Sequence, residues 1–160
     1  MTQSYYATPS PAADDLLSEW RWLIGAGLTL WRVTLAGDVL LSDPANGAVH
    51  MLDVAAGTIE RVAADTAEFD RRVAEPAFAE RIFRTAILAA AAQAGARPAT
   101  GQCLSHRIPL VLGGSNEPAN LEACDVSVHF SLAGQIHHRV RELPPGAKIG
   151  RVAIRDRDSG

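Results

Sequence analysis

The chain has 160 residues, 48% of them hydrophobic and 21% charged, which excludes wholesale disorder and fits one domain whose core needs no metal or disulfide staple. No apolar run reaches the roughly 18 residues of a spanning helix, and residues 1–13 lack the basic start and apolar centre of a secretory signal. The net charge of −3 hides a split: residues 1–80 hold 12 Asp/Glu against 5 Arg (−7), residues 81–160 hold 6 against 10 Lys/Arg (+4). No concentrated basic face favours nucleic acid, whereas an acidic half suits a basic partner.

Residues 1–12 are polar and contain proline, and read as a flexible arm. Asp14 and Asp15 precede a run in which Leu16, Leu17, Trp20, Leu23 and Ile24 keep helical spacing, and Gly25 and Gly27 end it. The three tryptophans, Trp20, Trp22 and Trp31, read as core and rim packing. From Leu28 to Val62 short apolar and β-branched runs alternate with turn signals such as Asp43-Pro44-Ala45-Asn46-Gly47 and Ala55-Ala56-Gly57. Connections this short force neighbouring strands to be antiparallel, so the segment reads as a meander.

Asp65 has the position of a helix cap, with Glu68 as its capping-box partner, and that helix runs to Pro76. Pro76 opens a second helix that the pattern carries unbroken to Gly95. A strand is expected within residues 102–112 and a short one at Asn120–Cys124, with a Gly-Gly loop between them. Asp125 then caps a closing helix near residues 126–141, ended by Pro144-Pro145-Gly146, and Lys148–Ile154 reads as a final strand before the polar tail 156–160. The whole reads as a single α+β domain over residues 13–155, an antiparallel sheet packed with three to four helices.

Chemistry-bearing patterns are sparse. Of five histidines, His129 is followed at i+4 by Ala133 and at i+8 by His137, which is not the spacing of a helical zinc site, and adjacent His137 and His138 diverge by about 100°. A surface or half-buried helix accounts for them better, so no metal and no cofactor is expected. Cys103 and His106 stand three apart on a strand and face opposite sides, which denies the thiol an activating base. Cys103 and Cys124 could form a disulfide, but free buried thiols are the simpler reading. The carboxylate pairs Asp14/Asp15 and Asp156/Asp158 lie near the termini, in no apolar setting that would raise a pKa. Gly113-Gly114 lacks the rest of a phosphate loop and reads as a turn. No catalytic residue is assigned.

The segment from Gly37 to Ile149 resembles a family of bacterial immunity domains. The residues that carry the likeness are Gly37–Asp43 with Asn46–Asp53, then Ala64–Phe69, Pro109, Leu112-Gly113-Gly114, Asn120-Leu121-Glu122, Asp125–Phe130 and Ala133–Ile136. The family is the C-terminal domain of the immunity proteins that neutralise DNase effectors of the type VI secretion system. The resemblance implies a non-enzymatic inhibitor that binds a cognate toxin and brings no catalytic residues, and the composition is that of a cytoplasmic protein. Neither direct nucleic-acid binding nor membrane attachment is expected, and the alternative is a ligand- or protein-binding adaptor of the same fold outside any toxin system. The expected contact surface combines the acidic residues Glu68, Asp70 and Glu75 with the polar loop residues Gly113, Gly114, Asn116, Glu117 and Asn120.

Overall fold

The computed structural model describes residues 4–8 and 16–154. Asp14, Asp15, Asp156, Asp158, the arm apart from residues 4–8, and the tail lie outside the described residues. The meander forms where the turn signals place it, as β2 (Thr29–Thr34), β3 (Val39–Ser42), β4 (Val49–Asp53) and β5 (Thr58–Ala63). Tyr6–Ala7, from within the N-terminal segment, adds β1 at the edge, and the order is β1-β2-β3-β4-β5 with every pairing antiparallel. The β3–β4 turn shows the local chemistry behind this. The Asp43 and Asn46 side chains accept the Ala45 and Ala48 amides, each at 2.9 Å, and Gly47 takes φ 76°.

Val39, Leu41 and Leu52 point to one face and join Trp20, Val126 and Phe130. Leu40, Val49 and Met51 point to the other and join Phe69, Phe78, Ile82 and Phe83. A sheet buried on both faces explains why Val39-Leu40-Leu41 is continuously apolar rather than alternating. In β5 a register shift between the His50–Arg61 and Val49–Ala63 pairs lets Val62 and Ala63 both serve the second core.

On the first face lie a 3₁₀ turn (Ser18–Trp20) with α1 (Arg21–Ile24), and the long closing helix α5 (Val126–Arg141), bounded as its periodicity predicts. Trp20, fully buried, donates its indole N–H to the Phe130 carbonyl at 3.0 Å. α5 comes so close to Glu19 here that a Cβ on Gly134 would lie 2.7 Å from the Glu19 carbonyl oxygen. On the second face lie α2 (Thr66–Arg72) and α3 (Pro76–Phe83). The Asp65 cap holds as expected, accepting the Glu68 amide at 2.7 Å, and the Glu68 carboxylate reaches back to the Ala64 amide at 2.5 Å.

Three expectations need correction. The helix expected to run unbroken from Pro76 to Gly95 is two helices, α3 and α4 (Thr85–Gln93), because Arg84 between them adopts φ 50°, ψ 49°. Lys148–Ile154 forms no strand: β-branched residues make a strand only against an edge, and among the described residues no hydrogen bond joins this backbone to the rest of the chain. Asp125 is at the N-cap of α5 but makes no capping side-chain bond. The remaining strands, β6 (Gln102–His106) and β7 (Leu121–Asp125), form a hairpin of their own, tied to the meander where the Leu104 amide donates to the Leu35 carbonyl at 2.8 Å. The α+β class stands, with a five-stranded antiparallel sheet and a two-stranded companion.

Candidate functional site

The turns of two alternate hairpins, Gly37-Asp38 between β2 and β3 and Val54–Gly57 between β4 and β5, open at the same end of the sheet. The α3–α4 junction and α5 converge on them. Arg84, turned inward by its left-handed backbone, places Nε 2.9 Å from Asp38 Oδ2 and Nη2 2.6 Å from Asp53 Oδ2. The Asp38 carboxylate is 3% exposed and also accepts the Val54 amide at 2.9 Å. Burial pushes its pKa up to about 6 against the opposing pull of Arg84, so it is ionised at pH 7 and protonates well before an exposed aspartate.

α5 closes on the same turns with two buried histidines. His129 bonds the Gly37 carbonyl through Nε2 at 2.8 Å and the Ser105 hydroxyl through Nδ1 at 2.9 Å, while His137 bonds the Val54 carbonyl through Nε2 at 2.9 Å. A carbonyl only accepts, so each imidazole donates from Nε2 and carries out this task uncharged. Burial lowers the pKa of His129 to about 4 and moves that of His137 in the same direction. The eight-residue interval that fails as a metal spacing is thus the spacing of two hairpin turns. The reading of these histidines as surface or half-buried is corrected: both are buried. Each lies beneath a turn glycine, and a Cβ would come within 2.7 Å of His129 Nε2 at Gly37 and 2.4 Å of His137 Nδ1 at Gly57.

Around this framework is a small cleft of about 70 Å³ lined by Asp38, Asp53, Arg84, His106 and Asn116. A larger apolar cavity of about 280 Å³ adjoins it, between β6, β7, α5 and the C-terminal segment. His106 Nε2 pairs with Asn116 Oδ1 at 2.8 Å at the rim. Both thiols are free. Cys103 is buried and Cys124 stands opposite it in the β6–β7 register. Burial raises both thiol pKa values, so neither is an activated nucleophile. No group of three or more His, Cys, Asp or Glu could hold a metal among the described residues.

The residues expected at the contact surface fall on two separate units. Glu68 bonds the Ala64 amide ahead of the α2 cap, Asp70 is exposed with Arg32 at 4.0 Å, and Glu75 is the exposed residue before Pro76; all three belong to the α2 side of the sheet. The loop residues lie on the β6–β7 hairpin. Asn120 holds the loop closed, accepting the Ile108 amide at 2.9 Å and donating to the carbonyls of Ile108 at 2.9 Å and Ser115 at 2.8 Å. Gly114 passes so near Ile108 that a side chain would collide with its carbonyl, and Gly113 ends the 3₁₀ turn Leu110–Leu112 with φ 92°. Asn116 and Glu117 are exposed. Sequence reading missed Asp38, Asp53 and Arg84, because their association spans 46 and 31 residues. The faint signal was an aspartate directly before the apolar run Val39-Leu40-Leu41.

No helix among the described residues is long and apolar enough to cross a membrane. Comparison with curated proteins gave no match. Among solved structures, the crystal structure of Atu4351 from Agrobacterium tumefaciens is similar, with a TM-score of 0.57 at 14% identity over 84% of this chain and 68% of that one, a likeness of fold. Residues 63–137, from the end of β5 to His137, match the family model described as T6SS immunity protein Tdi1, C-terminal, the family that the sequence resembles.

Proposed function

We propose that this chain is a non-enzymatic, cytoplasmic immunity protein that binds and neutralises a cognate toxin, a nuclease effector of a type VI secretion system. The family match over residues 63–137 carries this reading. The segment includes α2 with its acidic residues, the inward turn at Arg84, the loop held by Asn120, and His129 and His137. The charged and polar groups of the candidate site are spent on internal bonds, which suits a rigid surface that works by covering another. Nuclease grooves are basic because they hold a polyanion, and an acidic neighbour reaches them quickly through long-range attraction. Glu68, Asp70 and Glu75 with the loop Gly113–Asn120 are the proposed contacts.

The test is co-purification with a candidate nuclease effector from the source genome, followed by an association-rate measurement. Neutralisation of that effector is expected, together with an on-rate that falls with salt. Reversing Glu68, Asp70 and Glu75 to lysine should slow association and flatten its salt dependence. Because Glu68 also bonds the Ala64 amide ahead of the α2 cap, a variant that keeps Glu68 and reverses only Asp70 and Glu75 separates contact from stability. Absence of binding and of neutralisation would end the proposal, and an unchanged on-rate in both variants would move the interface away from α2.

A further inference from the structure

The 280 Å³ cavity beside α5 is walled by Leu110, Leu112, Leu132 and Ile136, and its outer side is supplied by Val152 and Ile154. The segment that contributes them, Lys148–Ile154, has no secondary structure, and among the described residues it makes no hydrogen bond to the rest of the chain. Its aliphatic side chains remain 41% (Ile149), 38% (Val152) and 40% (Ile154) exposed. It therefore rests on the groove through partial apolar burial alone, and leaves beneath it space enough for several more aliphatic carbons. The other exposed large hydrophobics among the described residues, Ile108, Val128 and Leu143, also belong to this half of the molecule. An apolar groove with partly exposed aliphatic side chains at its mouth is characteristic of an interaction site.

We infer that the groove is a binding site for an extended peptide segment of a partner protein with two β-branched residues one residue apart, and that Val152-Ala153-Ile154 occupies it in cis as a displaceable strap. The strap itself shows the chemistry that the groove accepts. In an extended chain residues two apart face the same side, and the unfilled volume favours an incoming segment with bulkier side chains than valine. A strap without backbone bonds is displaced at the cost of its side-chain contacts only. The inference goes beyond toxin binding and stands without it.

Cys124 lines the groove whereas Cys103 is buried in the core, so the first thiol reports on the strap. Full-length protein and its V152D/I154D variant are treated with iodoacetamide, whose iodide leaves as the Cys124 thiolate forms the S–C bond, and the modified residue is located by mass spectrometry. Modification of Cys124 should be about tenfold faster in the variant, the factor for about 1.4 kcal/mol of lost contact. A labelled peptide with the sequence of residues 148–154 should bind the variant, protect Cys124 in it, and bind the unaltered chain about tenfold more weakly. The milder V152A/I154A pair gives the same ordering if the aspartates disturb folding. Equal modification rates in all proteins, or no peptide binding to either open variant, overturns the inference. So does a concentration-dependent dimer of the unaltered chain that protects Cys124, since the occupant would then be the segment of a second copy.

Discussion

Arg84 holds the buried Asp38 at 2.9 Å from the one non-glycine residue with positive φ among the described residues. The left-handed turn is what aims the guanidinium inward, and a continuous α-helix through this position would carry it along the helix flank. Removing a single partner of a buried pair costs about 3–5 kcal/mol, because the other charge stays buried without compensation. Arg84→Ala should therefore lower the urea unfolding free energy by about 3 kcal/mol. Arg84→Gly should lose about 1 kcal/mol less, since glycine accepts the left-handed backbone freely. Equal losses in the two variants would show that the backbone at residue 84 carries no strain.

The same cluster sets a pH dependence with two opposed parts. His129 has a pKa of about 4 in the fold, against 6.5 when exposed. Its contribution is complete above pH 6.5 and is lost as the pH falls toward 4, because the unfolded chain takes up the proton first. The magnitude is about 3 kcal/mol. His137 acts in the same direction. Asp38, raised from 3.8 to about 6, acts the other way: its contribution is present below pH 3.8 and fades as the pH rises through 6. Between pH 4 and 6 the two nearly cancel. Urea titrations at pH 4.5 and 6.5 separate them. Relative to the unaltered protein, Asp38→Asn should gain stability as the pH rises across this window, and His129→Gln should lose it. Parallel curves for all three proteins would refute the assignment.

The glycines beneath which the histidines sit can be compared with one that has open space around it. Gly25, Gly37 and Gly57 all have positive φ, at 70°, 94° and 68°, but an added Cβ meets nothing within 4 Å at Gly25. At Gly37 it meets the Leu104 carbonyl at 2.5 Å, and at Gly57 it meets His137 Nδ1 at 2.4 Å. Gly25→Ala should cost about 1–3 kcal/mol from backbone strain alone, because φ 70°, ψ −166° is a conformation kept almost entirely for glycine. Gly37→Ala and Gly57→Ala should each cost about 1–3 kcal/mol more through overpacking. A double-mutant cycle of Gly57→Ala with His137→Ala should show positive coupling, because the smaller side chain makes room for the methyl group. Thermal melts of the four single variants and the double variant decide it, and equal costs at Gly25 and Gly57 would contradict a tight seat for His137.

What could be read from the sequence was whatever is decided locally. The turns at Asp43–Gly47 and Ala55–Gly57, the Asp65–Glu68 cap and the extent of α5 each follow from residues within a few positions of one another, and the structure has them where expected. What could not be read depends on distant partners. Nothing in Phe83-Arg84-Thr85 announces a left-handed residue; the conformation is held by Asp38 and Asp53, which arrive from the turns of other hairpins. His129 and His137 could be rejected as a metal pair from their interval, but their carbonyl partners at Gly37 and Val54 become visible only once the meander exists. Lys148–Ile154 has strand composition without a sheet edge to join, and composition alone cannot tell the two situations apart.

Asn120 and Gly114 on one hand, and Asn116 and Glu117 on the other, separate framework from surface within the single loop proposed for partner contact. Asn120 makes three hydrogen bonds across the loop, to Ile108 twice and to Ser115, and the Ile108 carbonyl fills the space where a Gly114 side chain would go. Asn120→Ala removes all three bonds and leaves the Ile108 and Ser115 groups to water, at a cost of about 1–2 kcal/mol because the site is partly solvated. The expected signature is faster amide exchange at Ile108 and a lowered melting temperature. Asn116→Ala keeps the loop closed and forfeits only the pairing with His106 at the rim, and Glu117→Ala touches no side-chain bond at all. These two variants should melt within about 0.5 kcal/mol of the unaltered protein. If the loop contacts a partner, Asn116→Ala and Glu117→Ala weaken binding with stability intact, whereas Asn120→Ala weakens binding in proportion to the opening of the loop. Unchanged affinity in the first two and in Asn120→Ala would remove the loop from the interface, and the hydrogen bonds of Asn120 would then serve only to seat the β6–β7 hairpin.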